Sequence, residues 1–368
     1  MVAELKIHLD NEVASQDQLD FFSDIRVDQA IGMAAEAELT VYVDVDETGS
    51  WIPMEESFLQ ATTRVRIEVK IGEEDFVPLI DGQIVGQRFD LSASPGASKL
   101  ILIVQDDSVL LNKTEAVELY EEQSADEIAQ SLFQAAGLNA QTDSVALPAG
   151  SVTRYLVRRG TAMQFLRELA KRHGMFIYVE PSEQAGTSIG YFKRPQLENT
   201  EYPELLLVGA ERNINQFTAQ FDGLRPLTAR ADNVNLSDLQ IQSSESETGD
   251  ITTQGDEAVH DFTDPGQILL SRTQTHQDDL DSAVNAAINY SSWAYSANAE
   301  VYADSYNAVL MPYRVVSVAG AGSQLSGDWL ISQVTHTISS STYKQELGLR
   351  RNARSSGGSS SGLPGGIF

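Results

Sequence analysis

The chain has 368 residues, 42% of them apolar and 21% charged, which is long enough for two or three packed domains and ordinary for a soluble globular protein. Its 53 acidic against 25 basic side chains leave a net charge of −28, which argues against specific nucleic-acid binding, and no stretch approaches the ~20 apolar residues of a membrane span. With no cysteine there is no disulfide, thiolate metal site or cysteine nucleophile. That usage, with Met1–His8 reading as a strand and not as a basic, apolar leader, implies synthesis and assembly in a reducing cytoplasm.

Period-two alternation dominates the first hundred residues and predicts strands with one buried face. Leu5, Ile7 and Leu9 alternate with polar residues, as do Leu39, Val41, Val43 and Val45, and again Val65, Ile67, Val69 and Ile71. Residues 83–90 and 99–105 flank a Ser-, Pro- and Gly-containing turn and read as a hairpin. Leu100–Val104 is apolar at every position, which predicts a central strand of an antiparallel barrel or sandwich.

The middle of the chain changes period. Ser124-Ala-Asp-Glu127 is a capping box that opens a helix with Ile128, Leu132, Phe133 and Ala136 on its buried face and Gly137 at its end. Thr161-Ala-Met-Gln164 opens a second helix, carrying Phe165, Leu166, Leu169 and Ala170 and closed by Gly174; a strand is expected over 175–179. Strands return after about residue 198, with one helix expected over 279–296 and a final hairpin over 328–338 and 343–350. Acid is concentrated between Asn235 and Ser282, where eleven carboxylates face Arg272. From Ser355 the chain is Gly- and Ser-rich, as in a flexible tail.

Two segments echo one another. Val65–Gly72 is similar to Tyr313–Gly320, each is followed by a glycine, Gly82 or Gly327, that opens a strand, hairpin and strand, and each is preceded by an Ala-Glu strand, at Ala37-Glu38 and Ala299-Glu300. The expected fold is therefore mainly β with an α+β module: two similar antiparallel β-barrels separated by a small α+β domain. The expected division is 1–106 for the first barrel, 107–198 for the module, 199–352 for the second barrel with its acidic insertion and one helix, and 353–368 for the tail.

The order of these elements resembles the phage late control protein D family, the unit that forms the hub of contractile phage tails and the N-terminal hub part of type VI secretion spike proteins. The resemblance rests on Asp81-Gly82-Gln-Ile-Val85, Leu100–Gln105, Leu110-Leu111, the helix headed by Ser124, the stretch Thr153–Tyr178 and the closing Leu325–His336, and it spans roughly residues 1–352. It implies that the two antiparallel β-barrels are of the tail-tube type, in a structural protein and not an enzyme, with no cofactor. The implied form is a homotrimeric, pseudo-sixfold ring that adapts a threefold spike below to a sixfold inner tube above, among other baseplate components. It also implies assembly in the bacterial cytoplasm into a virion tail or injection particle. Type VI spike proteins continue into a further barrel and a needle; here the needle is expected on a separate polypeptide.

Chemistry is sparse in the sequence. His8, His173, His260, His276 and His336 show no ligand spacing, so no metal or catalytic role is assigned to them, and His173 at a helix end reads as a cation favoured by the dipole. No phosphate loop, nucleophile elbow or calcium-loop spacing is present. Asp106-Asp107 and Asp278-Asp279 read as capping or loop residues, and Arg158-Arg159 and Arg350-Arg351 as salt-bridging pairs between acidic subunits. Catalytic, cofactor and metal residues are thus none, and the candidate docking residues for the spike are Leu363, Pro364, Ile367 and Phe368 in the tail. The alternative is a secreted β-sandwich that binds or cleaves polysaccharide; against it stand the absence of a signal peptide and the presence of only three tryptophans, Trp51, Trp293 and Trp329, where sugar platforms usually expose several aromatics.

Overall fold

A computed structural model describes residues 3–94, 96–147, 154–199, 201–234, 239–270, 277–339 and 341–355. The first half contributes β1 (Ala3–Leu9), β2 (Phe22–Ala30), β3 (Glu36–Tyr42), β4 (Arg64–Ile71), β5 (Val77–Asp90) and β6 (Lys99–Asp106). They pair antiparallel in the order β2-β3-β6-β5-β4-β1, so β6 is central, as its unbroken apolar run requires. The alternating residues point inward: Ile7, Ile25, Leu39, Ile67 and Leu102 are all buried in one cluster. The alternation expected to run on to Val45 stops at Tyr42; Val43 stays buried, but Val45 is exposed in a separate short pairing with Trp51.

The module consists of β7 (Glu115–Glu121), α1 (Ala125–Ala135), β8 (Asn139–Thr142), β9 (Tyr155–Thr161), α2 (Ala162–His173), β10 (Phe176–Pro181) and β11 (Ser188–Lys193). Both capping boxes form: the Ser124 and Thr161 hydroxyls accept from the backbone of Glu127 and Gln164, whose side chains accept from the cap backbones. Gly137 and Gly174 take the left-handed conformation that stops each helix. Helix faces, β10 and β11 enclose a separate cluster around Phe133, Leu166 and Phe192.

The second half contains β12 (Leu205–Leu206), β13 (Phe217–Phe221), β14 (Leu227–Val234), β15 (Ile241–Ser246), β16 (Gly266–Leu270), α3 (Gln277–Ser291), β17 (Tyr295–Tyr302), β18 (Val315–Ala319), β19 (Gly327–Ser339) and β20 (Tyr343–Arg351). Helix α3 is shorter than the expected 279–296. The Ser291 and Ser292 hydroxyls bond back to the carbonyls of Ile288 and Asn289, and the chain then turns so that Trp293 and Tyr295 enter the core. Strands β14, β15 and β16 form a small separate sheet with α3 packed on it.

The echo in the sequence is a repeat of topology. The second half runs β13-β17-β20-β19-β18-β12, the order of the first half strand for strand, differing in that the outermost pair, β12 with β18, is parallel. The halves are not separate sheets. Gln333–Ser339 of β19 pairs antiparallel with Asp24–Ala30 of β2, joining them edge to edge. The first half curls: β1 and β2, the two ends of its path, line one cleft of about 770 Å³, into which Ile338 and Tyr343 of the second half project.

Candidate functional site

The ionisable groups of the interior build a scaffold. Arg64 donates to Asp81 at 2.7 Å and to both Asp107 oxygens at 3.0 and 2.7 Å. Beside it, Arg66 binds Glu68 at 2.7 Å and Asp81 at 3.2 Å, and reaches into the module to the carbonyls of Ser182 and Glu183. The module answers with the Gly186 amide on Asp81 and the Ser188 hydroxyl on Asp107. With every partner hydrogen-bonded, this buried network fixes the module against β4 and β5. Asp107 is thus an ion-pair partner, whereas Asp106 caps the next turn, accepting from the amides of Ser108 and Ala35; burial raises its pKa to about 6.

A second junction centres on Tyr313, which has the positive φ of 65° that favours glycine and stacks on Tyr178 with ring centroids 3.8 Å apart. Its hydroxyl accepts from the Gly32 amide, and the adjacent Arg314 grips Glu180 with two bonds of 2.8 and 2.9 Å. One turn of chain thereby touches the first half, the module and the second half.

The remaining candidates are structural. Burial pushes His173 down to about 4, with Arg154 and Arg172 adding to the effect, so it is neutral and does not act as the dipole-favoured cation expected. Asp279, taken as a cap or loop residue, pairs in the interior with Arg154 at 2.7 Å. Arg351 is buried within its own chain, donating to the carbonyls of Gln254, Gln324 and Ser326, which removes it from any contact between subunits. Arg158 likewise pairs with Glu118 of its own chain. Of the three tryptophans, Trp293 and Trp329 lie in the cores and Trp51 is half-buried. Among the described residues, no group of three or more His, Asp or Glu converges as a metal-holding cluster, and no helix is long and apolar enough to cross a membrane. His276, Arg272 and the tail residues Leu363, Pro364, Ile367 and Phe368 lie outside the described residues.

What the arrangement offers is surface. The path β13-β17-β20-β19-β2-β3-β6-β5 presents one continuous face opposite the cores, largely polar but carrying the half-buried Ile101 and Ile103 of β6. Along its central rows the cations Arg26, Arg88 and Lys344 pair with Asp28, Glu38, Glu300 and Glu346, while Asp24 and Glu36 add further acid. The two ends of this path are open among the described residues: β13 pairs with β17 alone, and past Ile84 the outer edge of β5 meets no strand. Phe89 and Phe221, exposed at those edges, have no counterpart in the sequence patterns, because an edge is defined by pairing. A second surface is the two-stranded ribbon of β7 and β9, whose outer face exposes Val117, Leu119, Tyr155 and Val157.

The comparisons with known proteins agree with this fold. The 43 kDa tail protein of prophage MuSo2 from Shewanella oneidensis is similar with a TM-score of 0.67 at 12% identity, covering 95% of this chain and 99% of that one. A tail protein from Neisseria meningitidis MC58 is similar with a TM-score of 0.60 at 11% identity, covering 95% and 96%. The E. coli c3393 protein, a component of the type VI secretion system, is similar with a TM-score of 0.55 at 11% identity, covering 95% and 76%. The fold is thus of the phage-tail type. No curated protein matches the chain. Residues 2–340 match a family model under a different description from the one the motif order resembles, and over that span the chain belongs to the family described as the Alg8 N-terminal domain.

Proposed function

We propose that this chain is a structural hub of a contractile tail or injection particle, related to the late control protein D family and without catalytic activity of its own. Three copies form a ring that is threefold by chemistry and nearly sixfold by shape, matching a threefold spike below to a sixfold inner tube above. The units of the ring are the barrel of 1–106, the module of 107–198 and the barrel of 199–352.

The observation that carries this reading is the junction between β19 and β2. Within one chain, the far end of a long bulged strand in one half pairs with β2, the strand at which the path of the other half begins. The same two elements recur at the open ends: β5, bulged between Ile84 and Gly86, and β13. Joining β5 of one copy to β13 of the next repeats the internal junction between copies, and a head-to-tail contact that closes makes a ring. The sheet face turned to the central opening is then the acidic one, a wall that repels polyanions.

The tail is assigned to spike docking through Leu363, Pro364, Ile367 and Phe368, and its start is moved from the expected 353 to beyond Ser355, because Ala353–Arg354 pairs with Glu257–Ala258 and Ala353 is buried. Deleting 356–368 should leave thermal unfolding unchanged and weaken capture of the spike protein; unchanged capture removes the tail from this reading. The ring itself is tested by oligomeric mass: trimers expected, and monomers under all conditions, spike included, overturning it.

A further inference from the structure

The groove between α2 and α3 is basic in a strongly acidic chain. It encloses about 790 Å³ over a floor of Ile268, Leu270, Ala283 and Ala287. A hollow of about 280 Å³ shares Arg167, Lys171 and Tyr290 with it and runs on toward Trp293 and Tyr313. On the rim Arg172 is tied to Glu168, but Arg167, Lys171 and Arg225 have no carboxylate partner among the described residues. Arg225 lies over the exposed Tyr290 ring, and its Nε is buried without a hydrogen-bond partner. Unpaired cations crowded on one apolar groove call for an acidic, apolar occupant.

The chain itself presents such a surface. The ribbon of β7 and β9 is apolar on its outer face, with Val117 78% and Leu119 61% exposed. In the register of that face Val117 stands opposite Arg159, Leu119 opposite Val157 and Glu121 opposite Tyr155. The two strands of the ribbon carry Glu115, Glu118 and Glu121 against Arg158 and Arg159. Its inner face is already occupied: Tyr120 stacks on Phe165 of α2 at 5.7 Å and Leu156 is in the module core. Arg167 and Lys171 follow Phe165 by two and six positions, about 200° and 240° round the helix at 3.6 residues per turn. The ribbon and the basic rim therefore lie on opposite sides of α2, too far round to meet within one molecule and disposed as a head-to-tail contact requires.

We infer that the β7–β9 ribbon of one copy docks its Val117 and Leu119 face into the α2–α3 groove of the next, with Glu115 and Glu121 meeting Lys171 and Arg225. This contact rests on the ring reading and gives that ring a second layer outside the sheet junction. Duplex DNA is the competing occupant of a basic groove; the net charge of −28 and the aliphatic floor favour protein.

The absence of cysteine makes the test clean. Leu119→Cys chains mixed with Ala287→Cys chains should form a disulfide-linked pair on oxidation, while neither variant alone links efficiently. Glu121→Lys or Lys171→Glu, both exposed changes, should each lower the linked fraction about tenfold, and the two together should restore most of it. Trimers by mass photometry with no link between these positions overturn the contact and leave the ring standing. Chains monomeric even with the spike protein present overturn both. Protection of Ala287→Cys from thiol labelling by duplex DNA, with no protection by added chain, also overturns it, in favour of nucleic acid.

Discussion

His336 of β19 lies 3.1 Å from the Gln29 side chain of β2, inside the protein and across the line where the two halves meet. Its other ring nitrogen is 2.8 Å from the Tyr343 hydroxyl, and Gln29 donates onward to the Leu79 carbonyl at 2.7 Å. A fully bonded polar chain therefore runs through an otherwise aliphatic seam and sets its register.

That chain makes stability depend on acid. Burial holds His336 down to about 3, so it stays neutral in the fold while the same side chain in the unfolded state takes up a proton below 6.5. The unfolded state then binds more protons, and the stability present above 6.5 is lost as pH falls toward 3. His173, held down to about 4, acts with the same sign. Asp106, raised to about 6, opposes them, its contribution being complete below 3.8 and lost as pH rises through 6. Urea unfolding across this range should show a steeper acid-side fall for wild type than for His336→Gln, by up to about 1.4 kcal/mol per pH unit. Equal slopes would show that His336 is not neutral in the fold.

Arg314 and Glu180 should couple the module to the second half. Each alanine substitution should destabilise by about 1–3 kcal/mol, and the double mutant should cost less than the sum by at least about 1 kcal/mol, because the second change removes a partner already stranded. Additive losses in a double-mutant cycle would reduce the pair to two independent surface residues.

Two glycines on the same strand should behave oppositely. A Cβ on Gly82 would sit 1.9 Å from the Gln105 carbonyl oxygen, in backbone that cannot yield, whereas one on Gly86 would rest 3.5 Å from the Ile103 side chain. Gly82→Ala should cost about 3 kcal/mol or more, and Gly86→Ala under about 1, in thermal unfolding of the two variants. Similar melting temperatures would contradict the close approach of β5 to β6.

Much of the architecture was legible from periodicity alone. Leu39 and Val41, Val65 and Ile67, and the two capping boxes at Ser124 and Thr161 were readable because strand alternation and helix caps are local. The repeat was faintly written in Val65–Gly72 and Tyr313–Gly320, and only strand order made it plain. What the sequence withheld were long-range partnerships. Asp107 and Asp279 read as loop acids because their arginines, Arg64 and Arg154, lie 43 and 125 residues away. Arg351 read as a surface cation because its partners are carbonyls, which leave no trace in residue identity. The candidate surfaces were hidden for the same reason: an open edge at Phe89 or an uncovered Val117 is a statement about what does not pair.

In the proposed ring β5 of one copy continues the sheet into β13 of the next, as β19 continues into β2 within each chain. Cryo-electron microscopy of the purified chain, alone and mixed with a candidate spike protein, tests it most directly. Threefold particles with six lobes around an opening are expected, with a sheet unbroken from residues 85–90 of one copy to residues 217–221 of its neighbour. Threefold particles in which those two edges face solvent, or monomers in both samples, would contradict it.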